Sequence, residues 1–159
     1  MYKAKFSRVL VPIDGSEPSM NAAYHGIMML RNKKDGDNSE LIIVHVIHSE
    51  ISHVYSTYSF GGLISQSSIE EIIERAKRDI QTWFDKVQEE ANKKGVRART
   101  EIIVNPRSIV GAILDYAENE DVDLIVLGSR GLSGFKKLLL GSTASGVVTY
   151  AHCPVLVVK

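Results

Sequence analysis

The chain has a single cysteine in 159 residues, Cys153, so no intrachain disulfide can form. Its position between His152 and Pro154, at the entry to an apolar run, suits a small buried side chain better than a reactive thiol. Net charge is also missing: nineteen basic residues balance nineteen acidic ones, which removes any global field toward DNA, RNA or an anionic membrane. Neither nucleic acid nor membrane is therefore an expected partner. No apolar run approaches the roughly 18 residues of a spanning helix. Met1–Lys5 lacks the apolar centre of a signal peptide, so a cytoplasmic location is expected. Two nucleotide signatures are absent as well, the Walker A pattern Gly-x-x-x-x-Gly-Lys-[Ser/Thr] and the Rossmann fingerprint Gly-x-Gly-x-x-Gly. There is no internal repeat and no low-complexity tract.

What is present fits one compact domain over residues 1–159, with 44% apolar residues to build a core. Five short apolar runs recur: Val9–Ile13, Leu41–Ile47, Thr100–Val104, Leu124–Leu127 and Val155–Val158. Most are continuous rather than alternating, as expected of parallel strands covered on both faces. Helical stretches separate them. The clearest runs from about Ile69 to Lys94, with Ile69, Ile72, Ile73, Ala76, Ile80, Trp83, Phe84, Val87 and Ala91 at three- and four-residue spacing. A capping box at Ser68–Glu71 starts it and Gly95 stops it. Ser16-Glu17-Pro18 opens a helix that runs to about Asn32. Asn105-Pro106 opens another that buries Val110, Ile113, Leu114 and Ala117, and Ser142 opens the last. Strict alternation of strand and helix predicts a doubly wound α/β sheet with right-handed crossovers.

The 49–67 segment breaks this economy. It is too long and too aromatic for a plain connector and reads as a lid or partner surface, with a short helix around Leu63-Ile64 as one option. Three histidines, His45, His48 and His53, lie close together. Three-residue spacing in a strand points His45 and His48 to opposite faces, which is poor geometry for one metal ion.

The pattern with most chemical content follows the fourth run. Gly128-Ser129-Arg130-Gly131 is succeeded, nine residues later, by Gly141-Ser142-Thr143. With Gly at about 7% of residues, a chance match of such a set in a chain this long is on the order of one in 150. A strand that empties into glycine turns and then into a helix leaves backbone N–H groups available to phosphate oxygens. Arg130, with Lys136 and Lys137, makes this stretch locally basic. A second strand end with suitable chemistry is Pro12-Ile13-Asp14-Gly15-Ser16, a carboxylate on a turn, where an Asx-type cap is the competing role for Asp14. In open α/β sheets, ligands bind beyond the carboxyl ends of strands where the winding reverses.

Over nearly its whole length the chain resembles the universal stress protein family, through Val9–Ser16, His45-Val46 and Cys153–Val158. The family's ATP-binding branch carries Gly, two residues, Gly, nine residues, Gly, then Ser or Thr, a pattern met at Gly128, Gly131, Gly141 and Ser142. The resemblance implies a five-stranded parallel sheet of the Rossmann-like, adenine-nucleotide α-hydrolase type, strand order 3-2-1-4-5, which sets Asp14 opposite the glycine loops. It implies that Pro12, Ile13 and Asp14 meet adenine and ribose, that the Val46 backbone contacts the base, and that Gly128, Ser129, Gly131, Gly141, Ser142 and Thr143 cradle the phosphates. Arg130 is a further phosphate contact to test. ATP with Mg²⁺ or Mn²⁺ is the implied ligand. A homodimer through Val155–Val158 is expected, since an uncovered apolar edge strand invites pairing.

Three functions compete at this point: a nucleotide-dependent regulator of the stress response, a slow ATPase or nucleotide-processing enzyme, and a dimeric scaffold with a vestigial site. No paired carboxylates or recognisable catalytic set accompany the glycine motif, which favours the regulator.

Overall fold

The structure is a computed structural model and describes residues 6–31, 38–48, 66–105, 107–131 and 140–159. The elements are β1 (Arg8–Pro12), α1 (Glu17–Leu30), β2 (Glu40–His48), α2 (Gln66–Lys93), β3 (Ala98–Asn105), α3 (Ile109–Asn119), β4 (Leu124–Gly128), α4 (Ser142–Tyr150) and β5 (Val155–Val158). All strand pairs are parallel and the order is β3-β2-β1-β4-β5, the doubly wound arrangement expected.

Continuous apolar strands are buried on both faces because helices cover both. Val9, Val11, Leu41, Ile43 and Val126 pack beneath α1 and α2, against Ile27, Ile80, Phe84 and Val87. Leu10, Ile42, Val44, Ile125 and Leu127 point the other way, toward Ile113 and Ala117 of α3 and Ala144 and Val147 of α4. Each such side chain contributes about 1.5–3 kcal/mol by burial. β3 departs from this pattern. It is an edge strand, and Ile102 and Val104 are 41% and 73% exposed. Arg99 ties this strand to its neighbours instead: Nε donates to Glu40 at 3.1 Å, Nη1 donates to the Tyr116 hydroxyl at 2.9 Å, and Nη2 pairs with Glu120. Burial, with the hydrogen bond to Glu101, holds the Tyr116 hydroxyl well above the usual phenol range.

Helix ends follow local chemistry, with three departures from the expected boundaries. α1 is capped by Ser16, whose hydroxyl accepts from the Ser19 N–H at 3.4 Å, and it ends at Leu30 rather than near Asn32. α2 begins at Gln66, inside the segment expected to be an insertion, and the side chain of Ser68 lies outside the described residues, as does the 49–65 stretch. At its other end Gly95 adopts φ +66°, and the Val96 N–H reaches back to the Ala91 carbonyl at 2.9 Å. Asn105 does not open α3. It ends β3, and Ser108 is the cap, its hydroxyl accepting from the Gly111 N–H at 3.0 Å. Ser142 opens α4 as expected, with Gly141 as its cap. No helix among the described residues is long and apolar enough to cross a membrane.

β1 and β4 are clamped at their amino ends. The Asp123 carboxylate accepts from the Ser7 N–H at 2.7 Å and the Arg8 N–H at 3.0 Å, and the Asp123 N–H donates to the Arg8 carbonyl at 3.0 Å. Pairing between the two strands then covers only Val9 with Leu124 and Leu10 with Ile125, whereas β1 stays paired with β2 as far as Pro12. Beyond Leu10 the two strands part, and a crevice opens at their carboxyl ends. Asp123→Ala removes two partly exposed backbone hydrogen bonds to a charged group, and urea denaturation is expected to show a loss of about 1–3 kcal/mol.

Candidate nucleotide site

The crevice is a cavity of about 300 Å³, within the range of small-molecule sites. Of the residues singled out from sequence, Pro12, Ile13, Asp14, Val46, Gly128, Arg130, Gly131, Gly141, Ser142 and Thr143 line it. Ser129 does not. Its side chain is buried, its N–H donates to the Val158 carbonyl at 2.7 Å, and its carbonyl accepts from the Gly141 N–H at 2.8 Å. Ser129 thus splices β4 to β5 and draws the start of α4 toward the end of β4. Lys136 and Lys137 lie outside the described residues.

On the β1 side, the Ile13 N–H extends the ladder by donating to the Val44 carbonyl at 2.8 Å. The chain then turns. Asp14 Oδ1 accepts from the Ser16 N–H at 3.0 Å and from the Ser16 hydroxyl at 2.5 Å, an Asx turn, while the Asp14 N–H donates to Ser19 Oγ at 3.2 Å. The Ser16 hydroxyl also lies 3.5 Å from the Arg130 carbonyl, so the two loops that face each other across the crevice are in contact. The capping role weighed for Asp14 is therefore real and uses Oδ1. Oδ2 faces the glycine loop: a Cβ at Gly131 would lie 2.6 Å from it.

The three glycines of the motif do different work. A Cβ at Gly128 would meet backbone atoms of Pro18 and Ser19 at 2.7 Å, so this glycine lets the start of α1 lie on the end of β4. Gly131 admits Asp14. At Gly141 a Cβ would find only ordinary contacts at 3.5 Å among the described residues, and φ there is −69°, so none of these demands glycine. Gly141 caps α4 without a side-chain hydrogen bond, and the first intrahelical bond is from the Ser145 N–H to the Gly141 carbonyl. The N–H groups of Ser142, Thr143 and Ala144 thus have no intrahelical acceptor, and all three residues line the cavity at the positive end of the helix dipole.

Opposite this polar set stands an apolar one. Val46 comes from β2, Pro12 from β1, Leu127 from β4, and Ile109 and Ile113 from α3. The α3 residues were not among the candidates. Ile113 was read as core, and nothing in the spacing shows that α3 overhangs the crevice. His45 was weighed as a metal ligand and instead sits in the wall, its Nδ1–H donating to the Ile13 carbonyl at 2.8 Å. The side chain of His48 and all of His53 lie outside the described residues, among which no cluster of three or more potential metal ligands occurs. Cys153 is half-buried, and burial with the nearby Asp123 carboxylate raises its thiol above the usual range, which disfavours the thiolate.

Comparison with known proteins places this site in context. The model of the universal stress protein family matches residues 5–159. Universal stress protein YxiE of Bacillus subtilis is 35% identical over 156 residues, covering 97% of this chain and 99% of the relative. The solved structure of the hypothetical protein MJ0577 of Methanocaldococcus jannaschii superposes with a TM-score of 0.78 at 26% identity, covering 98% of this chain and 97% of that one. A universal stress protein from Archaeoglobus fulgidus, solved in complex with dAMP, shares the fold with a TM-score of 0.62 at 20% identity, covering 98% and 99%.

The unequal glycines give a direct test. Gly128→Ala forces α1 off β4 and is expected to cost about 1–3 kcal/mol in chemical denaturation, whereas Gly141→Ala is expected to cost less than about 1 kcal/mol, the weaker cap alone.

Proposed function

We propose that this chain, which belongs to the universal stress protein family, binds ATP in the crevice between β1 and β4 and acts as a nucleotide-dependent regulator in the stress response. The observation that carries the reading is Gly141, a glycine that packing among the described residues does not require, placed where Ser142, Thr143 and Ala144, whose N–H groups have no intrahelical acceptor, line the cavity. A ligand that approaches the backbone closely supplies the missing reason for glycine, and the donors around it suit phosphate oxygens. Pro12, Val46, Ile109, Ile113 and Leu127 suit the flat apolar faces of a purine. The dAMP complex of the Archaeoglobus protein, and family structures holding AMP and cAMP, support an adenine nucleotide as the class of ligand.

In this reading Pro12, Ile13, Asp14 and the Val46 backbone meet base and ribose, and Gly128, Arg130, Gly131, Gly141, Ser142 and Thr143 surround the phosphates, with Ser129 bracing them from behind. Asp14 is the one carboxylate among the described residues lining the cavity. It suits a Mg²⁺ or Mn²⁺ ion that the phosphates themselves largely hold, and such an ion supplies neutralising charge. Among the described lining residues no second carboxylate joins Asp14 to orient an attacking water, and one of its oxygens is already committed to Ser16. This favours a bound nucleotide as a signal over the alternative of slow turnover.

The second half of the proposal is a homodimer through Val155–Val158. β5 is the sheet edge opposite β3, and Val155, Leu156 and Val157 are only half-buried. A second copy pairing there covers both the apolar side chains and the open backbone edge.

Calorimetric titration of nucleotide-stripped protein with ATP and Mg²⁺ is expected to give micromolar affinity, about −8 kcal/mol. Gly141→Val is expected to lose at least tenfold while melting near the parent temperature. No heat from the parent protein overturns the reading. For the dimer, Val157→Lys is expected to halve the mass seen by light scattering, and an unchanged dimer refutes this interface.

A further inference from the structure

The chain has one tryptophan, Trp83, and it lies on α2, none of whose described side chains lines the cavity. Trp83 nevertheless touches the site from behind, twice. Its indole packs so closely beneath Gly15 that a Cβ there would overlap ring atoms Cε2 and Cζ2 and lie 2.8 Å from Nε1. Its ring also meets the His45 imidazole edge-on, with centroids 5.5 Å apart and planes at 65°. His45 in turn holds the Ile13 carbonyl at 2.8 Å.

Two residues of the wall and the glycine that follows them are thus held by three partners: Ile13 by His45, Asp14 by Ser16, and Gly15 by Trp83. Gly15 is the weak member of that series. Its φ is +79°, a conformation that glycine enters and leaves at little steric cost. Hydrogen bonds of Asp14 with Ser16 and Ser19 close the turn around Gly15, and the indole supplies the packing surface beneath it.

We propose that Trp83 is a positioning residue of the nucleotide site: its indole is the floor that fixes the Asp14-Gly15 turn, and it joins the ligand-binding turn to α2. The positioning claim stands on the contacts above, and its consequence for ligand rests on the ATP-binding reading. With the floor in place, Asp14 is preorganised before ligand arrives. Without it, binding must also order the turn, which weakens affinity. The coupling is reciprocal, so a ligand that tightens the turn also tightens the packing of Trp83 and α2.

The test combines two readouts on Trp83→Ala and Trp83→Phe in the full chain. Amide hydrogen exchange without ligand reads the turn directly, because the Ser16 N–H is bonded to Asp14 Oδ1 and the Asp14 N–H to Ser19. In Trp83→Ala both are expected to exchange at least tenfold faster while Val126 at the sheet centre is unchanged, and Trp83→Phe is expected to restore most of the protection. ATP affinity by calorimetry is expected to fall about tenfold in Trp83→Ala and to stay within threefold in Trp83→Phe. Should Trp83→Ala fail to fold, with Val126 losing protection too, Trp83→Leu carries the same comparison. Unaltered Ser16 exchange, or faster exchange with ATP affinity unaltered, overturns the proposal. If the parent protein binds no ATP, the functional reading falls, and Ser16 exchange alone decides whether Trp83 positions the turn.

Discussion

The site depends on one topological constraint, the place of β1 between β2 and β4. Chain winding reverses there, so the connections leaving β1 and β4 go to opposite faces of the sheet and leave a gap between them. The Asp123 carboxylate closes the amino ends of the two strands, and their pairing lapses after two residues each. A strand pair held at one end and released at the other is a wedge. Its open end receives the Asp14 turn from β1 and the glycine loop from β4, and the contact between Ser16 and the Arg130 carbonyl joins those loops at their rim.

Around that wedge the protein separates rigidity from vacancy. Gly128 is consumed by the packing of α1, Ser129 by hydrogen bonds to β5 and Gly141, and Asp14 Oδ1 by its own turn. α4 is set against α3 at Gly146, where a Cβ would approach Val110 at 2.8 Å. These commitments fix the positions of groups that have no equivalent duty among the described residues, the first N–H groups of α4 and the hydroxyls at its start, beside the apolar side chains of Ile109 and Ile113 from α3. Preorganisation of this kind lowers the ordering cost of binding an anion with an apolar head.

Much of this was legible in the sequence because period and punctuation report local structure. Continuous apolar runs identified all five strands, and Ser16 and Gly95 marked helix ends correctly. The failures are tertiary. Asn105-Pro106 resembles a helix start, yet β3 keeps Asn105 in register with His48, and Ser108 provides the cap instead. Ser129 belongs to the glycine motif, but only the neighbouring strand explains its burial. Ile109 and Ile113 carry ordinary core chemistry, and their place over the crevice follows from helix packing that no spacing encodes. Trp83 reads as one more apolar position on α2. The adjacency of β1 and β4, on which the site turns, was supplied by family resemblance, since alternation of elements alone permits other strand orders.

The central claim is that one crevice holds an apolar purine slot and a separate phosphate cradle. The most direct measurement is an NMR titration of isotope-labelled protein with adenosine, AMP and ATP in turn. The account predicts that Val46 and the Ile113 methyl groups shift with all three, and that the amides of Gly131, Gly141, Ser142 and Thr143 shift progressively as phosphates are added. Shifts of the α4 amides that are equal for adenosine and ATP, or the absence of shifts in both sets, would contradict it.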